Sequence, residues 1–366
     1  MRNSHVTREA IARKTFAEFG RERLSALCEA AGIPSADVCG LFTRMIMPWG
    51  ERRIGKVPLY RSNVADDEAP FEFSIAISDD APELQFYVEA LGEPPDLLSN
   101  MPAGRTLVDT MARNLGAPLD RLNAIDDLFF PARPGGAFTS WTGISYRHGC
   151  PPRLKVYLNP QVQGLGMAPS VTAEAMQRLG LGTPWSKLSD ALVSSPDRFD
   201  EIGILSLDLS EASDARVKIY IRHHRARISD LEAFTSTAIE HYPDDVREFY
   251  ATLADGDGPF LRKPVITEMA FTDASQWGPS SVTLEFPIGS YVATDEVARC
   301  RIANCMTKFG LSPNLYEAAA LAFATRPLEQ RAGMHAHVTL RRLANRPRIG
   351  VYLASEAYIA GGTPPA

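Results

Sequence analysis

Cations and phenols recur two residues apart at two places in this 366-residue sequence: Lys155-x-Tyr157 within "RLKVYLNP", and Arg216-x-Lys218-x-Tyr220 within "ARVKIYIRHH". Ammonium and guanidinium groups beside tyrosine hydroxyls make charge-assisted hydrogen bonds, and together they suit a diphosphate. The alternating residues are apolar (Leu154, Val156, Leu158; Val217, Ile219, Ile221), so each stretch reads as a β-strand with one apolar and one polar face. A solvated strand face, or internal salt bridges to Glu89 or Glu285, would also account for one such strand. Two near-copies favour an enclosed anion. Similar faces carry Gln85 with Tyr87 and Glu89, Thr283 with Glu285, and Arg348 with Tyr352. Glu72, in "PFEFSIAIS", shares a face with Ser74 and Ala76. It is placed to accept a hydrogen bond from a ring N–H and to act as a base; a pairing with a lysine is the alternative.

The elements that must position these residues repeat. Five segments read as β-hairpins: "FEFSIAIS" with "LQFYVEAL", "TGISYR" with "RLKVYL", "IGILSLDL" with "RVKIYIRHH", "VITEMAF" with "SVTLEFPI", and "MHAHVTL" with "RIGVYLAS". Turn-rich links such as "SDDAPE", "HGCPP" and "ANRP" join them. Equivalent positions in the second strands, Tyr87, Tyr157, Tyr220, Glu285 and Tyr352, are 70, 63, 65 and 67 residues apart. Helical patterns fill the gaps: 105–115 and 119–128, 171–179 and 185–193, 231–241 and 246–253, 295–309 and 313–324. Two more, 8–31 and 35–47, precede the first hairpin. Ser229 and Ser312 are candidate helix caps. Five αα-ββ units close most economically as an α+β fold, a ten-stranded antiparallel β-barrel ringed by α-helices, because closure removes edge strands. The expected domain is single, spanning 1–366, with N-terminal helices over 1–50 and the repeats over 70–360. Two stacked α+β halves are the alternative, but no linker composition marks a boundary.

Composition sets the class. The chain is 45% hydrophobic and 22% charged with a net charge of −6, which offers no surface for nucleic acid or an anionic membrane. Cys28, Cys39, Cys150, Cys300 and Cys305 are odd in number and lack metal-ligand spacing, so they read as reduced thiols of a cytoplasmic protein. "MRNSHVTREA" lacks the apolar core of a secretory leader, and no apolar run reaches the roughly 18 residues of a membrane span. Asp79, Asp80 and Glu83 resemble an aspartate-rich magnesium motif but fall in a hairpin turn. His335 and His337 share a strand face by period 2 but lack a third zinc ligand, and read as lumen-lining.

The segments "PFEFSIAI", "LKVYLNP", "RVKIYIRHH", "LEFPIGSYVATD" and "RIGVYLASEAY" resemble the indole branch of the aromatic prenyltransferases, the dimethylallyltryptophan synthase family, in its bacterial form. The resemblance covers nearly all the chain after about residue 20. It implies the ABBA, or PT-barrel, fold and transfer of a prenyl group from an allylic diphosphate to the indole of tryptophan or a tryptophan-derived molecule. It implies no metal requirement, with magnesium at most stimulatory, and a monomer or homodimer. Lys155, Tyr157, Arg216, Lys218, Tyr220, Tyr291, Tyr352, Gln85 and Arg348 would surround the diphosphate and prenyl group. Glu72, Trp141 and Glu285 would face the acceptor, with Glu72 on the indole N–H. The chain departs from the family in three places. Gln85 stands where many relatives have arginine, Thr283-x-Glu285 where fungal members have Gln-x-Tyr, and Trp141 where fungal members have a proton-accepting lysine. The residues alone leave open a non-catalytic barrel for a phosphorylated or hydrophobic molecule, and the fold leaves open phenol or naphthalene acceptors.

Overall fold

The computed structural model describes residues 7–343 and 345–359. The first six residues of the stretch read for a leader, one residue of the last hairpin turn, and the C-terminal end of the expected domain lie outside the described residues. Ten strands alternate with helices in chain order: β1 (Phe71–Ile77), β2 (Glu83–Val88), β3 (Ser140–Arg147), β4 (Arg153–Leu158), β5 (Phe199–Asp208), β6 (Val217–His224), β7 (Val265–Phe271), β8 (Ser281–Phe286), β9 (His335–Leu343) and β10 (Arg346–Leu353). Every neighbouring pair is antiparallel, and β1 pairs with β10, so the sheet closes into a barrel. The α+β barrel expected from the repeat is the observed fold.

Helices wrap it: α1 (Arg8–Arg13), α2 (Phe16–Ala30), α3 (Ser35–Ile46), α4 (Leu97–Leu115), α5 (Asp120–Asn123), α6 (Asp126–Phe129), α7 (Ala168–Arg178), α8 (Gly182–Ser189), α9 (Ile228–Thr235), α10 (Pro243–Ala254), α11 (Asp295–Lys308) and α12 (Asn314–Phe323). The outward strand residues are apolar because these helices cover them. Phe42 of α3 packs edge-on to Phe71 and Phe86 at 5.4 and 5.9 Å. It reaches them because Gly20 of α2 has no side chain; a Cβ there would lie 2.4 Å from the Phe42 ring. Each such buried apolar side chain contributes about 1.5–3 kcal/mol.

Local chemistry explains where the helical expectations shift. The helix expected over 8–31 is two helices. Thr15 adopts an extended conformation and caps α2, its side chain accepting from Glu18 N while Glu18 accepts from Thr15 N. The helix expected from 105 starts at Leu97, behind an Asp96 cap. The segment 119–128 is two single turns, α5 and α6. Ser229 lies inside α9, whose start is fixed by Asp230 accepting from Arg227 N at 2.8 Å. Ser312 accepts from Asn314 N at 3.4 Å, one residue ahead of the Pro313 cap position.

Candidate active site

The strand faces divide as the alternation predicts. Leu154, Val156, Val217, Ile219 and Ile221 belong to the shell under the helices, whereas Tyr87, Tyr157, Tyr220, Ile204 and Ile266 form a separate cluster inside the barrel. Four phenols, Tyr87 on β2, Tyr157 on β4, Tyr220 on β6 and Tyr352 on β10, make a collar across the lumen. Tyr87 stacks on Tyr352 at 5.7 Å and meets Tyr157 edge-on at 5.4 Å; Tyr157 meets Tyr220 at 6.1 Å. Gly143 of β3 makes the tight contact possible, since a Cβ there would lie 3.0 Å from Tyr157 and 3.2 Å from Tyr87. Burial pushes all four hydroxyls above the ordinary phenol range, so they stay protonated.

Below the collar lies a small chamber of about 40 Å³ lined by Gln85, Lys155, Arg216, Lys218, Arg341 and Arg348, with Thr283 and Glu268. Its cations are partly matched. Lys218 Nζ is 2.5 Å from Glu268 and 3.4 Å from the Tyr220 hydroxyl. Arg216 donates to Asp208 at 2.9 Å, and Lys155 lies 3.9 Å from the same carboxylate. Arg348 is 2.7 Å from Glu83, which also accepts from Arg153 and Gln85 at 2.7 Å. Arg341 Nε is buried with no hydrogen-bond partner among the described residues. Burial pulls Lys155 down to about 7, and neighbouring Lys218 and Arg216 add to that against Asp208. Burial works against ionised Glu83, but Arg348, Lys155 and Arg153 outweigh it and hold the group at about 2. Cations thus outnumber acids on the lining, the electrostatics of an anion site. A space of this size holds about one water.

Above the collar lies a cavity of about 630 Å³ lined by Glu72, Trp141, Arg222, Lys263, Glu285 and His337, and roofed by the loop from Arg61 to Glu68. Trp141 stacks on Phe138 at 4.3 Å. Glu72 has no hydrogen bond among the described residues, and burial together with Asp66 pushes its carboxyl well above the ordinary range. Glu285 lies 2.6 Å from His337 Nδ1. Among the described residues no group of three His, Cys, Asp or Glu is placed to hold a metal ion, and no helix is long and apolar enough to cross a membrane.

The lumen thus gathers Lys155, Tyr157, Arg216, Lys218, Tyr220, Tyr352, Gln85, Arg348, Glu72, Trp141 and Glu285. It does not gather Tyr291. That ring packs on Phe286 and Phe260 outside the strands, because β8 ends at Phe286 and the alternation stops there; its hydroxyl donates to Lys263 O at 2.8 Å. His335 and His337 do not share a face, because a bulge shifts the β9–β10 register between Val351 and Leu353. His337 faces the cavity. His335 is fully buried on the helix side, bonded to Asp295 of α11 and Tyr316 of α12 at 3.0 and 2.8 Å. Glu83 opens β2 and faces the lumen rather than sitting in the turn. The internal acids that balance the lysines are Glu83, Asp208 and Glu268, not Glu89, which is held by Tyr60 and Ser62 at 3.0 and 2.5 Å. Glu268 was readable: it alternates with Ile266 and Ala270 in "VITEMAF". Lys263 and Asp66 lie on loops, where no periodicity points inward.

Residues 41–238 match the family model for tryptophan dimethylallyltransferase. The 6-dimethylallyltryptophan synthase from Micromonospora olivasterospora, solved with DMASPP and Trp, is 34% identical, with a TM-score of 0.89 over 96% of this chain and 99% of that one. The 5-dimethylallyltryptophan synthase from Streptomyces coelicolor is 30% identical, with a TM-score of 0.85 over 94% and 99%. AnaPT from Neosartorya fischeri, at 14% identity and a TM-score of 0.76 over 98% and 96%, shares the fold. With a family match over more than half its length, and 34% identity to a solved tryptophan prenyltransferase across almost all of it, this chain belongs to the tryptophan dimethylallyltransferase family of prenyltransferases.

Proposed function

We propose that the chain transfers a dimethylallyl group from dimethylallyl diphosphate to the indole ring of tryptophan, without a metal. The observation that carries this is the divided lumen: a cation-lined chamber and a carboxylate-bearing cavity that meet at a collar of four tyrosines. Lys155, Lys218, Arg216, Arg341 and Arg348 hold the diphosphate. As the allylic C–O bond breaks, its electron pair leaves with the diphosphate, and each well-aimed cation contributes about 3–4 kcal/mol to that charge development. The collar encloses the allylic cation with π faces, each worth about 2 kcal/mol when desolvated, and keeps water from it. Glu72 accepts the indole N–H and fixes the ring above the collar. A ring carbon attacks the allylic carbon, and the ring then loses its proton.

Both chambers lie within one barrel, so the proposed reaction draws on no residue from a second chain, and the chain acts as one unit. Five free thiols suit a reducing cytoplasm. Incubation with dimethylallyl diphosphate and tryptophan in excess EDTA tests the reading. Diphosphate release with a prenylated tryptophan is expected; tight binding of both compounds without turnover would replace the enzyme with a carrier.

A further inference from the structure

The proposed reaction leaves one proton without an acceptor. Glu72 is committed to the indole N–H, and Trp141 has no basic atom. A second carboxylate faces the same cavity. Glu285 of β8 lies 2.6 Å from His337 Nδ1 on neighbouring β9. His337 Nε2 lies 2.9 Å from Lys263 Nζ, and Lys263 Nζ lies 2.6 Å from Asp66 Oδ1 on the roof loop. An ammonium has no lone pair, so Lys263 donates to Nε2 and the ring proton of His337 belongs on Nδ1, toward Glu285. The carboxylate sits off the N–H direction, so the contact is close without being an aligned hydrogen bond. Glu285 Oε2 has no hydrogen bond among the described residues.

The two carboxylates differ in surroundings. Glu72 is unpaired, and burial favours its neutral form. Glu285 faces an imidazole backed by an ammonium. One cavity thus holds a carboxyl without a partner and a second carboxyl set against an imidazole, two surroundings that suit two different roles. The two carboxyls also bracket an indole. Glu72 is on β1 and His337 on β9, with β10 between, a span of about 9.5 Å at ordinary strand spacing. An indole with its N–H on Glu72 turns its opposite edge toward β8 and β9. Asp66 and Glu68 also line the cavity, but on the roof loop, where Asp66 is held by Lys263 and Glu68 lies 3.2 Å from Arg61; with the nitrogens of His337 and Lys263 engaged, Glu285 is the strand-borne carboxylate placed to receive a proton.

We propose that Glu285, positioned by His337, is the catalytic base that removes the ring proton; the assignment rests on the prenyl-transfer reading above. The ring C–H bond of the prenylated cation breaks, its electron pair restores aromaticity, and the proton passes to the Glu285 carboxylate. Charge and atoms balance with no further reactant.

The test uses dimethylallyl diphosphate with ordinary and ring-deuterated tryptophan, reading diphosphate, prenylated tryptophan and dimethylallyl alcohol together. In Glu285→Gln, diphosphate release stays within about threefold of the parent, which also shows that the variant folds. Prenylated tryptophan falls about 100-fold, dimethylallyl alcohol makes up the difference, and a primary deuterium isotope effect appears that the parent lacks. His337→Asn gives the same signature at about tenfold, and Glu285→Asp partly restores product. If Glu285→Gln lowers diphosphate release and product equally, with no isotope effect, the base assignment fails while the prenyl-transfer reading stands. If the parent releases no diphosphate and forms no prenylated tryptophan, the reading itself falls, and this assignment with it.

Discussion

Lys155 shows how a single residue links burial to donor binding. Its ammonium is enclosed, and burial pulls it down to about 7. The charged form binds a diphosphate; the neutral form does not. Because the free-enzyme value lies below that of an ordinary lysine, donor binding above neutrality must restore the missing proton. We expect donor affinity to fall as pH rises through about 7, by up to tenfold per unit, and Lys155→Met to remove that dependence. Calorimetry in buffers of different ionisation enthalpy should find proton uptake on binding at pH 8; no uptake would exclude Lys155 from the diphosphate. Glu72 lies on the other side of the collar. Glu72→Gln should cut turnover by about 10²-fold while leaving the donor dissociation constant within about twofold, since Glu72 touches the acceptor cavity alone. At this scale much of the site was legible, because a period-2 strand declares which residues share a face. Glu268 and Arg341 obeyed the same rule but lacked a neighbouring tyrosine to draw attention, and Lys263 and Asp66 obeyed no rule at all.

Secondary-structure elements set the accuracy with which those residues meet. Strand bulges decide the exceptions. One in β9 turns His335 out to Asp295 and Tyr316 and leaves His337 in the cavity; nothing in "MHAHVTL" reports it, since a bulge is a property of the pair of strands. Tyr291 likewise falls outside because its strand has ended. Its hydroxyl ties the segment carrying Lys263, accepting from Arg262 N at 3.2 Å and donating to Lys263 O at 2.8 Å. Tyr291→Phe should therefore raise the tryptophan KM by about threefold, the effect of one net hydrogen bond lost, with the donor KM unchanged. A rise in the donor KM alone would return Tyr291 to the diphosphate. Helix packing supplies a test with the sign reversed from propensity. Alanine ordinarily stabilises a helix over glycine by about 1 kcal/mol. In α2, Gly20→Ala drives a methyl into the Phe42 ring, and urea unfolding should instead show a loss of about 1–3 kcal/mol.

The whole molecule is an enclosure. Fivefold repetition of two helices and a hairpin was visible in the spacing of Tyr87, Tyr157, Tyr220, Glu285 and Tyr352, and closure followed from the cost of open edges. Hidden from the sequence was the partition of the lumen. The collar depends on rings from four strands far apart in the chain, and on Gly143, whose missing side chain lets two of them touch. That partition is the central claim: diphosphate below, indole above, an allylic carbon between. A crystal structure with a thiolodiphosphate donor analogue and tryptophan tests it most directly. The expected result places the diphosphate against Lys155, Lys218, Arg341 and Arg348, with those heads turned from Asp208, Glu268 and Glu83, and the indole N–H on Glu72. A diphosphate bound in the upper cavity, or on the outer surface with the lower chamber unchanged, would contradict it.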